Sequence, residues 1–321
     1  MQNTIDDNQF AVAIALTHDH ALMACGFLAK LRHFHPGCDL FIITDKPSLQ
    51  TATEIAKGFD AKEPIVTDKM GFDCLEWGAI VTSKFRVFDL PTDKPVMFLD
   101  IDQILAKPVT SFVEKYLKSD AIIAGGADDE PLGNQFKGGQ TPAGLDPNAN
   151  LVINTGAFVT IPDPEIFQMI KRAIPEFSGS TRLPTQGLIN GLLYQNDLRF
   201  DVYGDDFMIG PFNKRVLDKP SSATLIHLWT PRPPFMFPNP QRTGVDGNLT
   251  WKQCVIEFEE THKEKYPYAY LRNEYMNQMR VFEEKFSRLV PNIERPQGHL
   301  NHYHKFLSAA SNSQSSKLTF D

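Results

Sequence analysis

The stretch Val96-Met97-Phe98-Leu99-Asp100-Ile101-Asp102 decides the fold predicted for this chain, because it is an apolar run that ends in two acids. A short continuous apolar run of this kind is typical of a strand buried in a parallel sheet. Along a strand, residues two apart point to the same side, so Asp100 and Asp102 are predicted to present their carboxylates together while Ile101 packs on the other side. Ligands of open α/β sheets bind beyond the carboxyl ends of the strands, which is where this pair lies.

Two carboxylates held side by side repel each other unless a cation lies between them. Oxygen ligands of this kind suit hard divalent ions such as Mn²⁺ or Mg²⁺. An isolated Asp-x-Asp sequence is more often a pair of solvated acids at the end of a strand. A metal site therefore requires other polar residues that reach the same edge of the sheet.

On either side of this stretch, short apolar runs alternate with longer helical patterns, which is the signature of βαβ units. Strands are predicted over 10–16, 39–44, 63–67, 96–102, 120–126, 151–161 and 223–229. Helices are predicted over 22–34, 48–58, 74–88, 184–195 and 251–290, and a further helix is predicted to begin at Pro164. The polar segment 127–150 has the length of a binding loop or a lid. We expect an α/β protein with a single Rossmann-like, mostly parallel central sheet flanked by helices.

Composition limits the classes of function. The 321 residues are 42% hydrophobic and 22% charged, as in an ordinary soluble globular protein. A formal net charge of -7 argues against a general nucleic-acid binder, which needs a basic surface to neutralise phosphates. The 4 cysteines lack Cys-x-x-Cys spacing and are expected to be reduced thiols. Because no apolar run is long enough to span a bilayer, we expect a cytoplasmic protein, with peripheral membrane contact left open.

Other motifs follow a fixed order around the acidic pair. Ala15-Leu16-Thr17 ends the first strand, and Thr82-Ser83-Lys84-Phe85-Arg86 precedes the acidic strand. Downstream, Ile153-Asn154-Thr155-Gly156 lies in an apolar strand, Gln186-Gly187-Leu188-Ile189-Asn190 begins a helix, and His227 ends a strand. This order of polar features at the ends of elements is specific, and it indicates one site at one edge of the sheet.

With these motifs the sequence resembles the retaining GT-A glycosyltransferases of family eight, the family of glycogenin and the bacterial lipooligosaccharide galactosyltransferases. The likeness runs from about Val12 to Phe235. It implies a metal-dependent transfer of a hexose, with retention of configuration, from a nucleotide sugar to an acceptor hydroxyl. The implied cofactor is Mn²⁺ or Mg²⁺, the implied donor is a UDP-hexose, and the implied acceptor is a carbohydrate, a glycolipid or a protein.

The resemblance also implies roles for particular residues. The implied metal ligands, two carboxylates and one imidazole, are Asp100, Asp102 and His227. The implied catalytic residues, which lie near the reacting sugar, are Gln186, Asp128 and Lys84. The residues implied to contact the donor are Ala15, Leu16, Thr17, Lys84, Arg86, Asp100, Ile101, Asp102, Asn154 and Arg232. A neutral glutamine at the reacting face is compatible with same-face attack by the acceptor, a route that needs no strong enzymic base.

The sequence departs from the family pattern at three positions. Thr230 stands where the family has a glycine. Thr185 stands where the family has an aspartate before the glutamine, and Pro233 stands where it has a diphosphate-binding lysine. Arg232 is the nearest replacement for the lost positive charge. These departures leave open a second interpretation, a nucleotide-sugar-binding protein with little or no catalysis. A third, a nucleotidyltransferase, would require a Gly-rich basic loop after the first strand, where this chain has Thr17-His18-Asp19-His20-Ala21.

Simpler interpretations stand beside some of these roles. The Asn154 side chain can bond the backbone of its own turn instead of an acceptor. Lys84 and Arg86 can equally be solvated charges on a helix. The histidines at 299, 302 and 304 have no predicted role.

The predicted domain organisation has four parts. Residues 1–9 form a disordered or extended N-terminus, 10–245 the catalytic domain, 246–306 a C-terminal helical extension and 307–321 a disordered tail. The oligomeric state is not predicted, and a dimer is left open.

Overall fold

Strand β1, Ala11–Leu16, lies inside a seven-stranded sheet whose order is β3-β2-β1-β4-β7-β6-β8. The structure, a computed structural model, describes residues 5–68, 70–71, 79–128, 130–210, 222–228, 260 and 268–293. The other strands of this sheet are β2 (Asp39–Asp45), β3 (Ile65–Thr67), β4 (Val96–Leu99), β6 (Ile123–Ala127), β7 (Ile153–Thr160) and β8 (Phe200–Tyr203). Only β7 runs antiparallel to its neighbours β4 and β6, so the predicted mostly parallel sheet is confirmed.

Helices cover both faces of this sheet. They are α1 (Ala21–Phe34), α2 (Leu49–Gly58), α3 (Ser83–Arg86), α4 (Thr110–Leu117), α5 (Pro164–Phe177), α6 (Pro184–Gln195) and α7 (Tyr268–Lys285). Alternate residues of β1 enter separate cores, because successive side chains of a strand point to opposite faces. Val12 and Ile14 join the core that includes α1 and α7, and Ala11 and Ala13 join the core that includes α5 and α6.

A second, three-stranded sheet was not predicted. It consists of β5 (Gln103–Leu105), β10 (Leu225–His227) and β9 (Met208–Ile209), in that order, with β10 antiparallel to β5 and parallel to β9. The single strand predicted over 96–102 is therefore wrong: β4 ends at Leu99, and residues 100–102 form a bend that leads into β5. An apolar run cannot reveal this change of sheet, because both strands are buried.

The segment before β4 is less regular than predicted. In place of a continuous helix over 74–88, the described part consists of a 3₁₀ turn (Ala79–Thr82), the short helix α3 and a second 3₁₀ turn (Val87–Asp89). The Thr82 hydroxyl contacts the Thr67 hydroxyl at 2.8 Å and also donates to the Asp68 carbonyl, which ties this segment to the end of β3. Residues 72–78 lie outside the described residues.

The long segment after β6 is fixed to the rest of the fold by backbone hydrogen bonds. It contains two 3₁₀ turns, Leu132–Gln135 and Lys137–Gly139. The Gln135 carbonyl accepts from the backbone N–H groups of Arg182 and Leu183, at 2.8 and 3.2 Å. The segment therefore supports the residues that lead into α6.

Helix α7 shares a core with α1. Its Met279 lies so close to Gly26 that a Cβ at that glycine would come within 2.5 Å of the methionine sulfur. Of the predicted C-terminal extension, residues 260 and 268–293 are described, and the predicted boundary at 245 and the predicted tail lie outside the described residues. Within the described part of the chain, no helix is both long enough and apolar enough to cross a membrane. The cytoplasmic location stays a prediction.

Candidate metal and donor site

Three metal-ligating side chains meet where β4 leaves the large sheet. Nε2 of His227 lies 3.3 Å from Oδ1 of Asp102 and 3.7 Å from Oδ2 of Asp100. One donor atom from each of the three residues lies within 4.8 Å of the others. Among the described residues, this is the group of His, Cys, Asp and Glu side chains close enough to hold a metal ion.

The small sheet brings His227 to the acidic pair. His227 is the last residue of β10, and its register partner across the antiparallel ladder is Gln103, the residue that follows Asp102. The ladder continues past the strand, because the Leu228 N–H donates to the Asp102 carbonyl at 2.9 Å. Residues far apart in sequence thus become neighbours through one short strand pair.

Gly156 provides the space that the imidazole of His227 occupies. A Cβ at position 156 would lie 2.2 Å from Cε1 and 2.5 Å from Nδ1 of His227. The Gly156 carbonyl accepts from the Asp100 N–H at 2.7 Å and from Nε2 of Gln103 at 2.8 Å. The glycine of the Asn154-Thr155-Gly156 motif therefore has a steric function and a hydrogen-bonding function at the junction of the two sheets.

Lys84 and Asp100 form a half-buried ion pair beside this group. The Lys84 ammonium donates to Oδ2 of Asp100 at 2.7 Å and lies 5.5 Å from the centre of the Phe98 ring. Burial raises the pKa of the Asp100 carboxyl above its ordinary value, and the nearby Asp102 carboxylate raises it further. Lys84 and His227 oppose that rise. An anionic pair kept apart from water in this way favours a bound cation.

The donor set fits a hard divalent ion. Two carboxylate oxygens are ligands that Mn²⁺ and Mg²⁺ both accept, and the combination of these oxygens with one imidazole nitrogen suits Mn²⁺. His227 presents Nε2 to both carboxylates, while its Nδ1 is buried and finds no hydrogen-bond partner among the described residues. The ring is thus oriented with one nitrogen toward the position an ion would take. Asp100, Asp102 and His227 would hold the ion.

A cavity of about 290 Å³ opens beside Asp100 and Asp102, and His227 is not among the described residues that line it. Residues predicted to contact the donor form part of its wall, namely Ala15, Leu16, Thr17, Lys84, Asp100, Ile101 and Asp102. Gln186, predicted near the reacting sugar, also lines it. The walls further include residues to which no role was assigned, His20, Met23, Ile80, Ser83, Thr155, Leu183, Pro184 and Thr185. Several of these residues adjoin predicted site residues in sequence, and this adjacency is the feature of the sequence from which they could have been predicted.

Gln186, which lines the cavity, forms a hydrogen bond with Asp128, which is not among the described residues that line it. Nε2 of Gln186 donates to Oδ2 of Asp128, and its Oε1 accepts from the Thr155 N–H at 3.1 Å. Asn190, one turn later in α6, bonds both the N–H and the carbonyl of Ile153, at 2.9 and 2.8 Å. These contacts attach the start of α6 to β7, so the amide of Gln186 has a fixed direction.

Of the residues predicted to contact the donor, two bond to other parts of the protein and a third lies outside the described residues. Arg86 bonds Asp89 at 2.7 Å and packs over the Phe167 ring, at 5.3 Å from its centre. Oδ1 of Asn154 accepts from the Gly156 N–H at 2.9 Å, so this side chain bonds its own turn. Arg232 lies outside the described residues. Neither Arg86 nor Asn154 is among the described residues that line the cavity.

The sheet order and the flanking helices define the GT-A fold, the fold of a large class of glycosyltransferases. The chain is similar to the galactosyltransferase LgtC in complex with donor and acceptor sugar analogues, with a TM-score of 0.53 and 14% identity over 76% of this chain and 100% of LgtC. It is also similar to the bifunctional glycosyltransferase WbbM, with a TM-score of 0.55 and 13% identity over 88% of this chain and 53% of WbbM.

A third similar structure is the glycosyltransferase GlyE of Streptococcus pneumoniae, with a TM-score of 0.50 and 12% identity over 81% of this chain and 65% of GlyE. No protein-family model matches the chain, and no curated protein matches it. At identities this low the likeness establishes the fold. The predicted resemblance to GT-A glycosyltransferases is therefore confirmed at the level of the fold, and the chemistry is argued from the residues of the site.

Proposed function

We propose that this chain is a metal-dependent glycosyltransferase that moves a hexose from a UDP-hexose to an acceptor hydroxyl with retention of configuration. The observation that supports it best is the meeting of Asp100, Asp102 and His227 within 4.8 Å, with the two aspartates in the wall of a cavity. The GT-A fold supports the general class. The choice of UDP-hexose comes from the sequence resemblance.

The leaving diphosphate sets the first chemical requirement. When the bond to the anomeric carbon breaks, negative charge develops on the departing oxygen. A divalent ion bound by the two aspartates and His227 would supply Lewis-acid stabilisation of that charge. Lys84, paired with Asp100 at 2.7 Å, adds a positive charge at the same wall of the cavity. One preorganised electrostatic contact of this kind contributes about 3–4 kcal/mol to lowering a barrier.

The reacting face of the sugar sets the second requirement. Covalent double displacement needs a carboxylate nucleophile against the anomeric carbon. Among the described residues that line the cavity, the carboxylates are those of Asp100 and Asp102, which the metal would occupy. Gln186 offers a neutral amide, held by Asp128 and Thr155. This set of groups favours same-face attack by the acceptor, in which the departing phosphate oxygen takes the acceptor proton.

One neighbouring structure relates to this role of glutamine. It is an active-site mutant of LgtC in which a glutamine is replaced by glutamate. Gln186 of this chain is the residue that matches the family's glutamine in the sequence. We therefore assign Gln186 to the reacting face of the donor sugar and Asp128 to the support of its amide.

The experiment combines a donor panel with a matched pair of variants. Purified protein is incubated with Mn²⁺ and a series of UDP-, GDP- and CMP-sugars, and donor hydrolysis or transfer is measured. Asp102→Asn should lower the metal-dependent rate at least about 100-fold, because it removes a metal ligand. Asp93→Asn, at an exposed residue before β4, should leave the rate unchanged. Equal rates in both variants would contradict the assignment.

A second candidate function is a nucleotide-sugar-binding protein without catalysis. The observation that favours it is Thr185, which is buried and lines the cavity where the family has an aspartate. Donor binding, seen as a raised melting temperature with Mn²⁺ and a nucleotide sugar, separates the two candidates when it is combined with turnover. Binding without turnover of any donor would support the second candidate.

A further inference from the structure

Strand β5 has one edge that no strand of the described part of the chain covers. Its position at the end of the small sheet leaves β10 on one side only. The carbonyl of Asp102 and the N–H of Ala106 point toward β10 and its flanks, where they bond Leu228 and Thr224. The N–H of Leu105 and the carbonyl of Gln103 therefore point away from β10, and buried backbone groups of this kind need partners.

A single glutamine on α7 supplies both partners. Oε1 of Gln278 accepts from the Leu105 N–H at 2.8 Å, and its Nε2 lies 3.5 Å from the Gln103 carbonyl. A side-chain carboxamide has the same donor and acceptor as a peptide group. Gln278 thus pairs with the free edge of β5 much as one residue of a neighbouring strand would. Its side chain is buried, with 1% of the residue exposed.

Helix α7 is itself held firmly. Met279, next to Gln278, packs against Gly26 of α1. Tyr275 and Phe282 belong to the same buried cluster as α1 and the strands. The amide of Gln278 is therefore presented to β5 from a packed helix.

The position of β5 determines where the metal ligands lie. Asp102 immediately precedes the strand, and His227 pairs with its first residue, Gln103. The Gln103 side chain also bonds the Gly156 carbonyl, which accepts from the Asp100 N–H as well. A strand of three residues has few hydrogen bonds of its own, so the contacts at its second edge contribute much of its rigidity.

We propose that Gln278 is a positioning residue for the metal site, acting through β5 on Asp102 and His227. The inference rests on the proposed function, because it concerns the metal site of that function. Gln278 lies far from the motifs in sequence and touches no metal ligand directly. Its contribution is to keep the two ligands at coordinating distance.

The test measures Mn²⁺ affinity in the presence of UDP, by electron paramagnetic resonance of free Mn²⁺, well below the melting temperatures of all proteins compared. Gln278→Met keeps the size of the side chain and removes both hydrogen bonds. We expect its Mn²⁺ affinity to fall about 10–100-fold, as for other residues that support metal ligands. At saturating Mn²⁺, the KM for the donor should remain close to that of the wild type.

Met279→Ala is the matched control on the same helix. It removes packing against α1 and lowers stability, and it leaves the hydrogen bonds of β5 in place. Its Mn²⁺ affinity should stay within twofold of the wild type. If Gln278→Met fails to fold, Gln278→Asn replaces it, because the shorter amide loses the same contacts with a smaller change in the core.

The outcomes separate the two proposals. Wild-type affinity in the folded Gln278 variant, or an equal loss in Met279→Ala, would overturn the positioning role and leave the proposed function standing. A wild-type protein that binds no Mn²⁺ with UDP would overturn both.

Discussion

Replacing Gly156 by alanine should disable the metal site while leaving all three metal ligands in the sequence. The added Cβ would lie 2.2 Å from Cε1 of His227, whereas ordinary contacts begin at 3.4 Å. Because protein interiors are close-packed, the imidazole or β7 must retreat by roughly an ångström. Metal-ligand distances in proteins tolerate deviations of about 0.2 Å, so this displacement takes Nε2 out of coordinating range.

The expected loss follows from that displacement. Misplacement of a reacting group by about 1 Å lowers the rate about 100-fold, so we expect kcat/KM to fall by that factor, which corresponds to about 2.7 kcal/mol. Overpacking should also lower the free energy of unfolding by about 1–3 kcal/mol. Both effects have one cause, the conflict between the new methyl group and the ring of His227.

The assay pairs this variant with a second glycine. At Gly191 in α6, a Cβ would lie 2.2 Å from the ring of Phe177, which is a steric conflict of the same size away from the metal ligands. Gly191→Ala should lose stability and keep its Mn²⁺ affinity, whereas Gly156→Ala should lose both. Mn²⁺ titration with UDP, donor hydrolysis and urea unfolding are measured on each. Wild-type Mn²⁺ affinity in Gly156→Ala would refute the steric argument.

Three further predictions concern single side chains. Lys84→Met should move the loss of Mn²⁺ binding to higher pH. Burial raises the pKa of Asp100 and Lys84 opposes that rise, so without Lys84 the pKa is higher and protons compete with the metal at higher pH. Mn²⁺ titrations over a pH series check this. His35→Ala should lower the free energy of unfolding by about 1–3 kcal/mol and leave turnover unchanged, because the buried Val109 N–H loses its acceptor. Urea unfolding measures this loss, and an unchanged midpoint would contradict the prediction. Asn190→Ala should lower the melting temperature and also the rate of donor hydrolysis, because its amide ties α6 to β7; a rate equal to the wild type would show that the tie has no catalytic consequence.

The parts of the fold that the sequence predicted well have local causes. Helix α6 begins at Pro184 and ends at Gln195 as predicted, and α5 begins at Pro164, because a proline is favoured in the first turn of a helix. Strand β1 is bounded as predicted to within one residue. Each of these signals lies inside the element that it specifies.

The parts that were missed depend on distant contacts. Strands β5 and β9 have three and two residues, too few for a periodic pattern, and they exist because β10 lies between them. The bend at residues 100–102 depends on the Gly156 carbonyl, which accepts from Asp100. Gln278 appears in the sequence as one more polar residue of a helix. Only the folded chain shows which backbone groups it pairs with.

The structure brings the three predicted metal ligands together, but by a different arrangement of the backbone from the one predicted. Asp100, Asp102 and His227 were expected to meet, and so they do, yet the reason differs from the predicted one. The prediction placed both acids on one side of a single strand, whereas they lie in the bend between two sheets. Their common direction therefore depends on how the two sheets are joined, and no longer on the alternation of a strand.

The junction between the sheets has one acceptor at its centre. The Gly156 carbonyl accepts hydrogen bonds from the Asp100 N–H, just after β4, and from the Gln103 side chain, at the start of β5. Because Gly156 has no side chain, it also leaves room for the ring of His227. Gln278 fixes the opposite edge of β5. Since neither residue would contact the metal directly, the distances among the metal ligands depend on residues outside the Asp-x-Asp motif. Variants that retain the whole motif should therefore still differ in Mn²⁺ affinity according to how firmly β5 is held.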